Sequence, residues 1–138
     1  MLNNISCNKI CNGKWQVNWN DYWLCLQVKH KLGAGFLEKV YENALLIELR
    51  KAGLEVQQQF PLPVYYEDIL VGDYYADLIV NNEIVLELKA VTKLQKQHEV
   101  QLVNYLNGAN VDIGLLINFG SSVSVKRKYR NFNNTEQY

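Results

Sequence analysis

Asp77, Glu87 and Lys89 are the residues of this sequence whose types and spacing best suit chemistry. Asp77 stands in Ala76-Asp77-Leu78-Ile79-Val80, and Glu87 and Lys89 stand in Ile84-Val85-Leu86-Glu87-Leu88-Lys89-Ala90. Each interrupts an apolar run, where a carboxylate costs free energy unless it is paired, opens on a cleft or binds a metal. Strand side chains alternate between faces, so Glu87 and Lys89 leave one face together, and Asp77 on a neighbouring strand converges with them. Two carboxylates and a lysine so placed suit Mg²⁺, which takes oxygen ligands and keeps several waters. The lysine would hold or deprotonate a metal-bound water, or neutralise charge building on a phosphate. The plain alternative is a Glu87–Lys89 ion pair on a half-exposed strand with Asp77 solvated. An E-x-K spacing by itself leaves both readings open.

The strands that must carry these residues impose a condition on the turn between them. Tyr74 to Val80 and Ile84 to Ala90 are predicted as a hairpin around Asn81-Asn82, since Asn tolerates positive φ. Directly opposite residues of an antiparallel pair share a face. A two-residue turn pairs Val80 with Glu83, sets Asp77 opposite Leu86 and sends Glu87 to the other side of the sheet. Convergence of Asp77 and Glu87 therefore requires an odd-length loop, Asn81-Asn82-Glu83, or a β-bulge.

Around the hairpin the pattern predicts one mixed α/β domain over residues 15–132. Trp15, Trp19, Tyr22, Trp23 and Leu26 recur at helical spacing, roughly continued by Val28 and Leu32, and are read as the buried stripe of a first helix that stops at Gly33. A second helix runs from about Phe36 to Ala52, with Leu37, Val40, Tyr41, Ala44, Leu45 and Ile47 inward and Gly53 as the left-handed residue after it. Leu54 to Phe60 reads as strand, confined to an edge or a bend by Pro61 and Pro63. Val64-Tyr65-Tyr66 and Ile69-Leu70-Val71 flank the turn-like Glu67-Asp68. A helix over Gln97 to Gly108, a buried strand over Val111 to Phe119 and an edge strand over Val123 to Tyr129 complete the series. Residues 1–14 are expected to be poorly ordered and residues 133–138 to form a disordered tail.

The 138 residues and 16.0 kDa amount to one domain, large enough to fold without disulfide or metal staples. Lys plus Arg and Asp plus Glu are both 14, which excludes a domain that holds nucleic acid by bulk charge. Local cations remain: Lys93 and Lys96 after the Glu87 strand, and Lys126, Arg127, Lys128 and Arg130 near the end. No apolar run is long enough to span a bilayer, and the first residues lack a secretory h-region. Cys7, Cys11 and Cys25 are an odd set without a second ligand pair at zinc spacing, so they are read as free thiols of a reducing, cytoplasmic protein.

Gly35-Phe36-Leu37-Glu38-Lys39-Val40-Tyr41 resembles the signature of the GxxExxY protein family, a small branch of the PD-(D/E)XK nuclease superfamily. The likeness continues through Ala76-Asp77, Glu87-Leu88-Lys89-Ala90, His98 to Leu106 and Gly114 to Gly120, and several agreeing motifs are more specific than any one. The resemblance implies a nuclease-like core, a mixed central sheet flanked by helices, with Asp77, Glu87 and Lys89 as its triad. It also implies that Asp77, Glu87 and the carbonyl of Leu88 hold Mg²⁺ or Mn²⁺ for hydrolysis of a nucleic-acid phosphodiester. Glu38 matches an acid that superfamily members carry on the first core helix. Gln101 and Tyr105 match a Q-x-x-x-Y element beside the active site, and their spacing puts them on one helix face. With Lys93 and Lys96 they are the expected nucleic-acid contacts. The alternative is a catalytically silent module of the same fold that binds nucleic acid or a protein partner. Val28-Lys29-His30 departs from the usual Val-His before the glycine turn, and the Cys- and Trp-rich stretch before it matches poorly. DNA or RNA, monomer or homodimer, are left open by the sequence.

Overall fold

The computed structural model describes residues 19–131. The expectations for residues 1–14 and 133–138, and those for Trp15, Cys7 and Cys11, lie outside that range. Two helices come first, α1 (Trp19–Leu32) and α2 (Glu38–Lys51), followed by strands β1 (Val56–Tyr66), β2 (Ile69–Val80) and β3 (Ile84–Lys89). Helix α3 (Lys96–Ala109) then leads to β4 (Ile113–Phe119) and β5 (Val123–Tyr129). The strands form one sheet in the order β1-β2-β3-β4-β5, parallel between β3 and β4 and antiparallel elsewhere. A parallel pair needs a crossover, and α3 is that crossover.

The helices cover the sheet on both sides. Val28 of α1 and Leu45 and Leu49 of α2 pack on Leu78, Leu86 and Ile117. Leu102 and Leu106 of α3 pack on Ile79, Val85 and Leu116 of the opposite face. The expected mixed sheet flanked by helices is therefore present, and every predicted element within the described residues appears. Among those residues no helix is long and apolar enough to cross a membrane.

Two helical stripes differ from expectation in phase. In α1 the buried positions are Leu24, Cys25 and Val28, while Tyr22 is exposed and Trp23 is 48% exposed. A helix turns about 100° per residue, so a stripe centred between Cys25 and Val28 leaves Trp23 on the far side. In α2 the buried residues are Tyr41, Glu42, Leu45, Leu46 and Leu49, whereas Leu37, Val40 and Ile47 are exposed. The inward face of α2 thus contains an acid.

The glycine turn before α2 is tied to the helix by Tyr41. Gly35 has φ 97°, a conformation that costs any residue with a Cβ. The fully buried Tyr41 stacks on Phe119 at 4.7 Å, and its hydroxyl donates to the Gly33 carbonyl at 2.7 Å. In the G-x-x-E-x-x-Y motif the glycine and the tyrosine are thus framework residues. Tyr41→Phe keeps the ring and orphans the Gly33 carbonyl. It is expected to lower stability by roughly 1–2 kcal/mol in denaturant unfolding.

β1 and β2 form one long hairpin instead of short separate strands. Its turn, Glu67-Asp68, has φ 48° and 63°, which suits a two-residue hairpin loop. Pro61 and Pro63 lie within β1, which is tolerated because β1 is an edge strand of the sheet.

Candidate active site

The β2–β3 turn has the odd length that convergence demands. Leu78 pairs with Leu86, Ile79 with Val85 and Val80 with Ile84, leaving Asn81-Asn82-Glu83 as the loop. Asn81 and Asn82 both take positive φ, 51° and 56°, and the Glu83 N–H closes the turn on the Val80 carbonyl at 3.0 Å. Continuing this register sets Asp77 opposite Glu87.

At that point the ladder stops and the side chains take over its hydrogen bonds. The Asp77 N–H donates to Glu87 Oε1 at 3.1 Å, and the Leu88 N–H donates to Asp77 Oδ2 at 2.8 Å. The two strands fork here, with a carboxylate from each filling the gap. A strand residue sends its N–H and C=O to the same edge, so the Leu88 carbonyl opens on this gap as well.

Asp77 also marks a turnover in β2. Tyr74 and Ala76 pack on the α3 side, whereas Leu78 and Val80 pack on the α1/α2 side. Regular alternation would keep all four on one face. The β1 pairing skips Gln59 and Asp77, and Gln59 has φ 54°. Glu87 and Lys89 therefore leave β3 on the α3 side with Val85, as predicted, while Asp77 lies in the fork rather than flat on that face.

Both neighbouring layers contribute residues that the sequence reading missed. Glu42 of α2 is 3% exposed and meets the Asp77 carboxyl from the α2 side. It is held by Lys39 Nζ at 2.7 Å, by Gln59 Nε2 at 3.0 Å and by Gln58 Nε2. The Glu38 side chain, one turn earlier, has no hydrogen bond or ion pair with another described residue. From the other side, Tyr74 stands near Glu87, and burial with the Glu87 charge holds its hydroxyl well above the usual tyrosine range. The Tyr74 ring lies flat on Tyr105 of α3, with centroids 3.4 Å apart and planes 7° off parallel. Gln101 is exposed one turn before Tyr105, and Lys93 and Lys96 are exposed between β3 and the start of α3. Neither lysine forms an ion pair with a described residue. Lys126 and Lys128 of β5 are instead bound to Glu99 of α3, at 3.3 and 2.5 Å. His98 accepts the Gln95 N–H at 3.0 Å and so caps α3.

The carboxylates are short of positive charge. Burial, then the neighbouring Asp77, pushes Glu87 up to about 7. Burial is also the largest influence on Asp77, raised to about 6; the Leu88 N–H opposes it and Glu42 adds to it. Lys89 acts on both in the opposite sense. Among the described residues no three His, Cys, Asp or Glu side chains converge tightly enough to hold an ion by themselves. The oxygens present, two carboxylates and the Leu88 carbonyl, fit a hard cation that completes its shell with water.

Beyond the fork, Asn118 fixes the chain that leaves β3: its Oδ1 accepts the Val91 N–H at 3.0 Å and its Nδ2 donates to the Val91 carbonyl at 2.9 Å. A Cβ on Gly120 would sit 2.6 Å from that same carbonyl, so the position requires glycine.

Residues 22–132 match the PD-(D/E)XK nuclease superfamily. The chain belongs to that superfamily. As a PD-(D/E)XK chain it resembles the crystal structure of SSO0001 over 83% of its own length and 61% of that chain, at a TM-score of 0.57 and 15% identity. It resembles an alkaline exonuclease from Laribacter hongkongensis over 86% of its own length and 73% of that chain, at a TM-score of 0.53 and 9% identity. At such identities the likeness is one of fold. It extends to the mixed sheet and flanking helices, and the chain spans about three-fifths of the first structure. No curated protein matches in sequence.

Proposed function

We propose that this PD-(D/E)XK chain, of the GxxExxY branch, is a nuclease that hydrolyses phosphodiester bonds with Mg²⁺ or Mn²⁺. The observation that carries the reading is the fork, where Asp77 and Glu87 are held together, deficient in positive charge, with Lys89 beside them. Asp77, Glu87 and the Leu88 carbonyl would hold the ion, which when bound acidifies water and offsets charge on the phosphate. Lys89 positions the attacking water and takes up negative charge as it builds. Glu42 closes the site from α2, with Glu38 the second candidate acid on that helix. Gln101, Lys93 and Lys96 would meet the nucleic-acid backbone, where each exposed cation adds salt-dependent affinity.

The test is incubation of the purified chain with mixed DNA and RNA, with Mg²⁺ or Mn²⁺ and with EDTA. Cleavage is expected with the ion, none in EDTA and none from Asp77→Ala. Nucleic acid that is retained by the protein but stays intact under every condition would replace this reading with the silent binding module.

A further inference from the structure

We propose that the outer half of the β1–β2 hairpin is a dimerisation arm, whose apolar face packs against the same face of a second copy of this chain. β2 pairs with β3 only from Leu78 to Val80, so beyond the fork β1 and β2 run on as a two-stranded arm. One face of the arm is covered: Phe60, Leu62, Tyr74 and Ala76 pack under α3, and Val64 reaches Gly108 of that helix. Strand alternation sends Pro61, Pro63, Tyr65 and Tyr75 to the other face. A bulge sets both Leu70 and Val71 against Tyr65 and adds them to it. On that side α2 meets β1 at Gln58 and Gln59, at the foot of the arm. Further out, Tyr65, Leu70, Val71 and Tyr75 are left 60%, 49%, 61% and 52% exposed.

Charge and size decide what covers this face. From Val56 to Leu88 there is no Lys or Arg, and the charges of the arm are Glu67, Asp68 and Asp73. Such an arm repels phosphate-rich partners, whether nucleic acid or an anionic lipid surface. The outer edge of β1 does not invite another strand, because Pro61 and Pro63 offer it no N–H. What remains is packing of face on face. The six apolar residues expose roughly 500 Å² per copy, so a pair buries about 1,000 Å², the size at which specific interfaces begin. A two-fold axis makes one apolar face its own complement, and tyrosine is a residue enriched in such contacts. The acids choose the direction. Antiparallel arms keep the two Glu67-Asp68 turns apart and lay each toward the α2 end of the other copy, where Lys39 is exposed. The inference is independent of the ion and of cleavage.

The experiment is sedimentation equilibrium of the full chain in EDTA, without nucleic acid, from low micromolar to submillimolar concentration, with the fold of each variant checked by its melting curve. Wild type is expected to pass from the 16.0 kDa of one chain to twice that mass, with a micromolar Kd. Val71→Asp puts a charge on the face and should weaken the pair about a hundredfold or more. Tyr65→Ser should weaken it about tenfold or more, and carries the test should Val71→Asp unfold. Ile69 is as exposed as Val71 but lies on the α3 side of the arm with Tyr66. Ile69→Asp should therefore leave the affinity within about threefold of wild type. A wild type that stays monomeric throughout overturns the proposal; loss of oligonucleotide retention in its Val71→Asp form then assigns the face to nucleic acid. A dimer that survives folded Val71→Asp, or Tyr65→Ser where that variant carries the test, overturns it as well. So does one that Ile69→Asp weakens as much as Val71→Asp, since the pair then forms through another surface.

Discussion

Lys89→Ala is expected to lower phosphodiester cleavage by roughly a hundred- to a thousandfold at saturating Mn²⁺ and nucleic acid, with little change in KM. Lys89 leaves β3 on the same face as Glu87 and acts electrostatically on both fork carboxylates. A cation there matters most when charge builds on the phosphate, so its removal should appear in kcat. Mn²⁺ affinity should hold or rise, because the ammonium and the ion repel each other across the site. Lys89→Arg retains charge and exchanges a compact ammonium for a planar fork, and it should recover only part of the rate. Single-turnover rates decide the matter. A loss below about tenfold in Lys89→Ala would remove Lys89 from the reaction.

The ion-free protein should lose stability as the solution is made less acidic. Asp77 and Glu87 keep their protons in the folded chain up to about 6 and about 7, well above the ordinary carboxylate values they have when unfolded. Over that interval the folded state binds more protons than the unfolded state, so raising the pH favours unfolding. The protein in EDTA is therefore at its best, as far as these two groups are concerned, near pH 4. The loss should be complete by about pH 8. Its size follows from about 1.4 kcal/mol per tenfold change in proton affinity. That gives roughly 3 kcal/mol for Glu87 and less for Asp77, which solvent reaches more easily. Glu87→Gln should flatten the profile and melt several degrees above wild type at pH 8 in EDTA. Millimolar Mn²⁺ should restore wild-type stability at pH 8 by binding only the folded form, and should leave Glu87→Gln unmoved. Thermal melts from pH 4 to 8 provide the check; a wild-type melting temperature that rises across this range would contradict the arrangement of charges in the fork.

Much of the site was legible because strand chemistry is periodic. Glu87 and Lys89 are two apart and share a face by geometry alone. The demand for an odd loop followed from counting, and Asn81 and Asn82 could supply the left-handed conformations it uses. Glu42 was hidden by a phase error. Assigning Leu37, Val40 and Ile47 to the inward face of α2 placed Glu42 outside, whereas the stripe of Tyr41, Leu45, Leu46 and Leu49 includes it. A glutamate in phase with three buried leucines was the available signal. The turnover at Asp77 had no such signal, since it coincides with a break in pairing opposite Gln59 on another strand. In α1 aromatic size was mistaken for burial: Val28 is inward as expected, but its buried neighbours are Leu24 and Cys25, and Tyr22 and Trp23 remain outside.

The fork has one more consequence, for how the site can be observed. Two backbone amides, those of Asp77 and Leu88, are bonded to carboxylates where a regular sheet would offer them carbonyls. A carbonyl acceptor does not change with pH, but a carboxylate loses or gains a full charge as it titrates or captures a cation. The nitrogen and proton resonances of these two residues are therefore wired to the electrical state of the centre. Uniform ¹⁵N labelling turns the polypeptide backbone into its own voltmeter, readable without substrate, turnover or an attached probe.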